Sequence, residues 1–243
     1  MAESIRNQCV KLYIDAFHDD IEFTNLLFDN FFEDSCRYLL IDGKVVSMLF
    51  AMDVSINNKK GKYVYAVATN ENYRGKGYMK KLFDCISNEF SRDYSFLCLR
   101  PMDDGLFNFY EKLGFERKFT KSTAVLLNQK CNHKCITVEN VNDIKNIRKL
   151  FLPENSAEYS DDMMKLIMSY CDAFTDSFEN PSYFVIKEKL SGKVKEAIGC
   201  LENIPECVCN GEVITYGNGF DYAMFKSLGW NFTDNGYLGL ALD

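Results

Sequence analysis

Between Thr69 and Phe90 the spacing of apolar residues changes from two to three or four, and the change pivots on two glycines in Tyr73-Arg-Gly-Lys-Gly-Tyr-Met79. Before the pivot, Tyr63-Val-Tyr-Ala-Val-Ala-Thr69 has the β-branched and aromatic composition of a strand. After it, Met79, Leu82, Phe83, Ile86 and Phe90 fall on one helical face. A strand that passes through glycines straight into a helix N-terminus makes an anion site. The first-turn N–H groups have no intrahelical acceptor, the helix dipole adds positive potential, and glycine lets a phosphate approach the main chain. Arg74 and Lys76 add charge of the right sign. The alternative for a bare Gly-x-Gly is a turn that needs glycine only for its dihedral angles. The spacing fits neither the Walker loop nor the Gly-x-Gly-x-x-Gly dinucleotide fingerprint.

The flanks say what kind of sheet leads into this turn. Ile5, Cys9, Leu12 and Ala16, then Phe23, Leu26, Leu27 and Phe31, predict two amphipathic helices. Tyr38–Ile41, the pair Asp42-Gly43 and the run Val45–Val54 predict a hairpin, and Asn57–Gly61 a second turn, so three antiparallel strands precede the glycines. Downstream, Ser95–Leu99 predicts a strand closed by Pro101, Asp103–Leu113 a helix stopped by Gly114, and Phe115–Leu127 a strand pair.

The polar stretch Asn128–Lys134 is the expected boundary between two domains, 1–128 and 135–243. In the second, Val141, Ile144, Ile147 and Phe151 mark one helix. Met163 to Cys171 mark another, capped by Ser160 and Asp161, with strands at Tyr183–Glu188 and Ala197–Leu201. The segments YLLIDGKVVSMLFA and YFVIKEKLSGKVKEAIGCL share a strand, a polar turn with Gly-Lys and a strand, which suggests an internal repeat.

Composition narrows the partners. A net charge of −7 repels phosphate backbones and anionic membrane surfaces, so neither nucleic acid nor membrane is expected, and a cationic small molecule or basic peptide suits the chain better. Glu3, Arg6, Lys11 and Asp15 interrupt the N-terminus, so no export signal is expected and the protein reads as cytoplasmic. Ten cysteines, mostly inside apolar runs, then read as reduced small hydrophobes rather than a disulfide scaffold. Cys131, His133 and Cys135 are too tightly spaced for a structural zinc site, and no metal is expected. Two histidines leave little scope for histidine-centred triads.

VATNENYRGKGYMKKLF resembles the acyl-CoA-binding motif of the GNAT superfamily, Arg/Gln-x-x-Gly-x-Gly/Ala at the start of a helix. Arg74 and Gly77 match, and Met79 stands where the small last residue is usual, a feature similar to the Eis-like (enhanced intracellular survival) branch. RPMDDGLFNFYEKLGFE is similar to the second GNAT motif, with Tyr110 four residues before Gly114-Phe115. The resemblance implies a mixed α/β fold with a mostly antiparallel sheet flanked by helices, followed by a second, degenerate GNAT-like domain.

It also implies acetyl-CoA as co-substrate and direct attack by an amine. Main-chain groups of Val67, Ala68 and Thr69 would hold the pantetheine arm, and the amides of Gly75, Lys76, Gly77, Tyr78, Met79 and Lys80, beside Arg74, the pyrophosphate. Tyr110 would protonate the departing thiolate, a role set against that of an ordinary core aromatic. The C-terminal carboxylate at Asp243, at the end of the apolar run Tyr237–Asp243, would serve as base, set against a strand that only closes the second sheet. The usual first strand is not visible before Ile5, and the second half carries no glycine turn. That half is expected to shape the substrate pocket or a homo-oligomer interface. The rival readings are a non-catalytic acyl-CoA sensor and a P-loop-like nucleotide-binding protein.

Overall fold

The computed structural model describes residues 3–127, 134–239 and 242. It divides into two compact units, one of residues 1–54, 59–116 and 224–231, the other of 55–58, 117–223 and 232–243. The expected boundary at Asn128–Lys134 lies almost wholly outside the described residues.

The first unit opens with helices α1 (Ile5–Phe17) and α2 (Ile21–Ser35). Each has an oxygen-bearing N-cap: Ser4 accepts from the Asn7 amide at 3.2 Å, and Asp20 from that of Phe23 at 2.7 Å. Strand β1 (Cys36–Ile41) follows α2 without a loop and pairs antiparallel with β2 (Lys44–Ile56) across Asp42-Gly43, both at positive φ. β3 (Lys59–Thr69) follows the two-residue turn Asn57-Asn58, whose φ values of 49° and 60° are those of a type I′ hairpin.

Helix α3 (Tyr78–Phe90) then returns the chain to β4 (Phe96–Leu99), parallel to β3 from Gly61↔Phe96 to Val64↔Leu99. Helix α4 (Gly105–Glu111) is shorter than the spacing predicts. Residues 224–227 lie antiparallel on the far side of β4, Met224 opposite Leu99 and Ser227 opposite Phe96. The sheet is thus mostly antiparallel, as expected, with one parallel pair. Its core packs Leu49, Val64 and Leu97 against Leu82, Phe83 and Ile86 of α3.

The second unit contains most of β5 (Glu116–Leu126), β6 (Ile136–Val138), α5 (Val141–Phe151), β7 (Ala157–Tyr159), α6 (Asp161–Tyr170), β8 (Cys171–Thr175), β9 (Tyr183–Glu188) and β10 (Val194–Gly199). It also holds the first part of β11 (Gly211–Ser227), which pairs with β5. Strands β10, β9, β8 and β6 form, in that order, an antiparallel sheet.

Several expectations are corrected here. Phe115–Leu127 holds one strand, not two, because nothing between them turns the chain. The helix through Met163 ends at Tyr170, and Cys171 already begins β8. The strand expected at Ala197–Leu201 runs from Val194 to Gly199, and Leu201–Asn203 is a 3-10 turn. The Tyr237–Asp243 run is no strand over its described part: Tyr237 makes an isolated bridge to Ser156, and Leu238 and Gly239 make none. Among the described residues no helix is long and apolar enough to cross a membrane.

The element order of the two units corresponds. Two helices followed by three antiparallel strands occur as α1-α2-β1-β2-β3 and again as α5-α6-β8-β9-β10, with β7 between the second pair of helices. After the third strand the units diverge. The first has a glycine turn and α3, whereas the second has only the 3-10 turn.

Candidate functional site

The parallel pairing of β3 with β4 stops at Val64↔Leu99, and β3 continues through Tyr65–Thr69 after β4 has ended. Ala66 sits there at φ 53°, a left-handed conformation that costs an L-residue about 1–2 kcal/mol. The kink marks where β3 leaves its parallel neighbour. Val67, Ala68 and Thr69 follow it, their peptide groups past the last β4 pair. Thr69 is fixed by a 3.0 Å contact between its hydroxyl and that of Ser47, and the Asn70 amide donates to the Val46 carbonyl at 2.9 Å.

From Thr69 the chain makes a 3-10 turn (Glu71–Tyr73) and reaches Gly75 and Gly77, at φ 75° and 77°. Gly77 is the residue before α3 and provides no side-chain cap, and the first helical bond runs from the Lys81 amide to the Gly77 carbonyl at 3.0 Å. Among the described residues, the amides of Gly75, Lys76 and Gly77 therefore donate to no protein acceptor, and those of Tyr78, Met79 and Lys80 form the open first turn.

The two basic side chains brace this loop. Arg74 Nε donates to the Thr69 carbonyl at 3.2 Å, and Lys76 Nζ to the Asn72 carbonyl at 3.0 Å while lying over the Tyr73 ring. Tyr78 leans on Tyr73, with ring centroids 6.1 Å apart, and Lys80 is exposed beside Asp84. Met79 turns inward and is buried in the core, which gives a long apolar residue at this motif position a packing role.

Tyr110 belongs to the same core. Its ring meets Phe83 and Phe115 edge-on, both with centroids 5.9 Å away, and Val67 and Met79 pack on the cluster that contains it. Three of the residues picked from sequence, on β3, α3 and α4, thus converge on one apolar cluster. The Tyr110 hydroxyl makes no hydrogen bond among the described residues. Burial, with a smaller contribution from the Asp103 carboxylate, pushes the phenol well above its ordinary value, so it carries its proton at neutral pH.

One polar group in this unit has no sequence signal. Tyr13 donates to the Asp19 carboxylate and lies 3.3 Å, hydroxyl to hydroxyl, from Tyr65 on β3. Burial first, then Tyr65 and Asp19, push the Tyr13 phenol up. Tyr13 sits in an amphipathic stripe and Asp19 in an interhelical turn, positions that read as core and surface.

Asp243 lies outside the described residues. In the second unit, the segment leading toward it is held at several points. The Ala157 amide donates to the Tyr237 carbonyl at 2.9 Å, the Tyr159 hydroxyl to the Leu238 carbonyl at 2.7 Å, and the Gly239 amide to the Tyr222 hydroxyl. Among the described residues no cluster of potential metal ligands occurs, and of Cys131, His133 and Cys135 only the last is described.

Residues 1–117 match the model of an acetyltransferase (GNAT) domain. No curated protein matches in sequence. Solved structures share the fold at low identity. A GCN5-related N-acetyltransferase from Anabaena variabilis is 11% identical, with a TM-score of 0.69 over 91% of this chain and 70% of that one. Eis1 from Mycobacterium abscessus is 7% identical, with a TM-score of 0.66 over 94% and 73%. A GCN5-related N-acetyltransferase from Kribbella flavida is 11% identical, with a TM-score of 0.63 over 94% and 71%. With its glycine turn, its strand that outruns a parallel neighbour and its motif tyrosine on one core, the segment 1–117 belongs to the GNAT acetyltransferase family.

Proposed function

We propose that this protein transfers an acetyl group from acetyl-CoA to the amine of a small molecule or basic peptide, by direct attack of that amine on the thioester. The observation that carries the reading is the convergence on one apolar cluster of the β3 end, the start of α3 and the Tyr110 ring. The residues present fit such a donor: a Cβ at Gly75 or Gly77 would meet nothing within 4 Å, so the backbone there is open to a bulky anion, and the amides of this turn are uncommitted.

Acetyl-CoA supplies the acetyl group activated as a thioester. Main-chain groups of Val67, Ala68 and Thr69 hold the pantetheine amides as an added strand would. The amides from Gly75 to Lys80, including those of Lys76, Tyr78 and Met79, hold the pyrophosphate, with Arg74 supporting the loop. As the N–C bond forms and the C–S bond breaks, Tyr110 gives its proton to the sulfur, and the Asp243 terminal carboxylate takes the proton released by the amine.

The second domain, 135–243, is in this reading a degenerate GNAT-like domain of an Eis-like protein. Its helix–helix–three-strand order supports that, and the 3-10 turn in place of a glycine turn leaves it without a cofactor site. Domain 1–128 carries the glycine turn and Tyr110, and 135–243 supplies the Asp243 carboxylate.

The test is the thermal midpoint with acetyl-CoA and, separately, with ATP. At a hundred times its dissociation constant, a ligand adds about 2.7 kcal/mol to the folded state. A shift with acetyl-CoA alone, lost in Gly77→Val, is expected. A shift with ATP alone overturns the reading in favour of a nucleotide-binding protein. Binding without turnover against a panel of polyamines, aminoglycosides and basic peptides points to a sensor.

A further inference from the structure

We propose that Cys135 and Cys207, in the second unit, are a redox pair that closes reversibly into a disulfide on meeting a low-molecular-weight disulfide such as oxidised glutathione. Both are exposed free thiols, and Cys207 lies near enough to Cys135 to raise its thiol. Strand β9 holds the two segments side by side. Tyr183 and Lys187, four apart on β9, point to one face. The Tyr183 hydroxyl donates to the carbonyl of Lys134, next to Cys135, at 2.9 Å. Lys187 Nζ donates to the carbonyl of Val208, next to Cys207, at 3.0 Å.

Each backbone is also tied on its far side. Ile136 pairs with Thr175 of β8, and the amides of Val208 and Cys209 both donate to the Pro205 carbonyl. Both cysteines therefore sit on anchored segments. Cys209 shares the turn but is buried in the apolar core. Cys85 and Cys200 are exposed and touch no second thiol among the described residues, so they serve as internal controls.

Burial and the adjacent Cys207 sulfur push the Cys135 thiol up, against the lowering effect of the Lys187 charge. With its thiol held protonated, Cys135 is the poorer nucleophile, so the first attack falls to Cys207. The Cys207 sulfur bonds to one glutathione sulfur and the S–S bond of the oxidant breaks, releasing one glutathione thiolate that takes up the proton lost by Cys207. Cys135, deprotonating, then attacks the Cys207 sulfur of the mixed disulfide and releases the second glutathione. Two protein thiols are oxidised and one glutathione disulfide is reduced to two thiols. Such switchable pairs are the usual form of disulfide in a reducing compartment.

The experiment treats the whole reduced protein with oxidised glutathione and maps its peptides by mass spectrometry. The expected result is a cross-linked Cys135–Cys207 peptide pair, lighter by two hydrogens and carrying no glutathione, restored by dithiothreitol. In Cys135→Ser, glutathione is expected to stay on Cys207, and in Cys207→Ser on Cys135. Glutathione retained on both cysteines of the wild type overturns the proposal. So does modification of Cys85 and Cys200 while Cys135 and Cys207 remain free, or cross-linking of either to another cysteine.

Discussion

Tyr110 is buried among aromatic rings, yet its hydroxyl is uncommitted and its phenol is held in the protonated form. If Tyr110 is the acid proposed above, removing its hydroxyl should cost the fold little and the reaction much. Tyr110→Phe keeps the ring contacts and is expected to lower kcat by about 10²–10³-fold, with KM for acetyl-CoA within about twofold of wild type. Loss of folded protein instead would reduce Tyr110 to a core residue. Because burial raises its pKa, the acid form persists through the whole range below the ordinary phenol value of about 10. A kcat–pH profile should therefore show no alkaline fall from this group below about pH 10. The tyrosine and the two glycines are legible in sequence, since a helical stripe and a change of period announce them. The Tyr13–Asp19–Tyr65 group is not, because its members meet only through folding.

The elements are legible where punctuation separates them and illegible where one period runs into the next. Asp42-Gly43 and Asn57-Asn58 break the β1–β2–β3 run cleanly. Between α6 and β8 no turn residue intervenes, so Tyr170 and Cys171 read as one helix face. β11 is buried only in patches, with an exposed middle, so no alternating pattern marks it as one strand. Gly61 shows how tightly one register is specified. A Cβ there would lie 2.3 Å from the Phe96 ring, which is itself stacked on Phe225 at 5.2 Å and has Trp230 at 5.7 Å. Gly61→Ala is expected to cost about 1–3 kcal/mol by urea denaturation, and Phe96→Leu beside it to recover part of the loss.

In the second unit, α5 and β10 are joined by a buried ion pair, Arg148 Nε to Glu196 Oε2 at 2.6 Å and Nη2 to Oε1 at 3.0 Å. Burial opposes the Arg148 charge and Glu196 more than restores it. Glu196→Gln leaves a buried guanidinium uncompensated and is expected to cost about 3–5 kcal/mol, whereas the double change Arg148→Met with Glu196→Leu should cost less. A single loss no larger than the double would remove this assignment.

At the scale of the whole molecule, the chain's path decides what can stand alone. A division at residue 128 follows from the polar stretch beyond Leu127, but the first unit is completed by residues 224–231, nearly a hundred positions later in the chain. Those residues cover β4: Met224 and Phe225 are almost fully buried, and Lys226 donates to the Ser87 hydroxyl at 3.1 Å. No local pattern could announce this return, because pairing between distant strands leaves no periodic trace in either segment. A fragment of residues 1–128 would keep the glycine turn and Tyr110, yet leave the edge of β4 open and strip Phe96 of both aromatic neighbours. Losing the buried Met224 and Phe225 side chains costs about 2–5 kcal/mol each, which together is a large share of a domain's stability of about 5–15 kcal/mol. The fragment is therefore expected to aggregate or to show no cooperative melt by circular dichroism, an unpaired apolar strand edge being an aggregation site. A fusion that places residues 220–232 after residue 128 through a flexible linker should restore a cooperative melt and the acetyl-CoA shift. A fragment 1–128 that melts cooperatively without them would show that the cover on β4 is dispensable, and that the segment matched by the GNAT family folds as a unit in its own right.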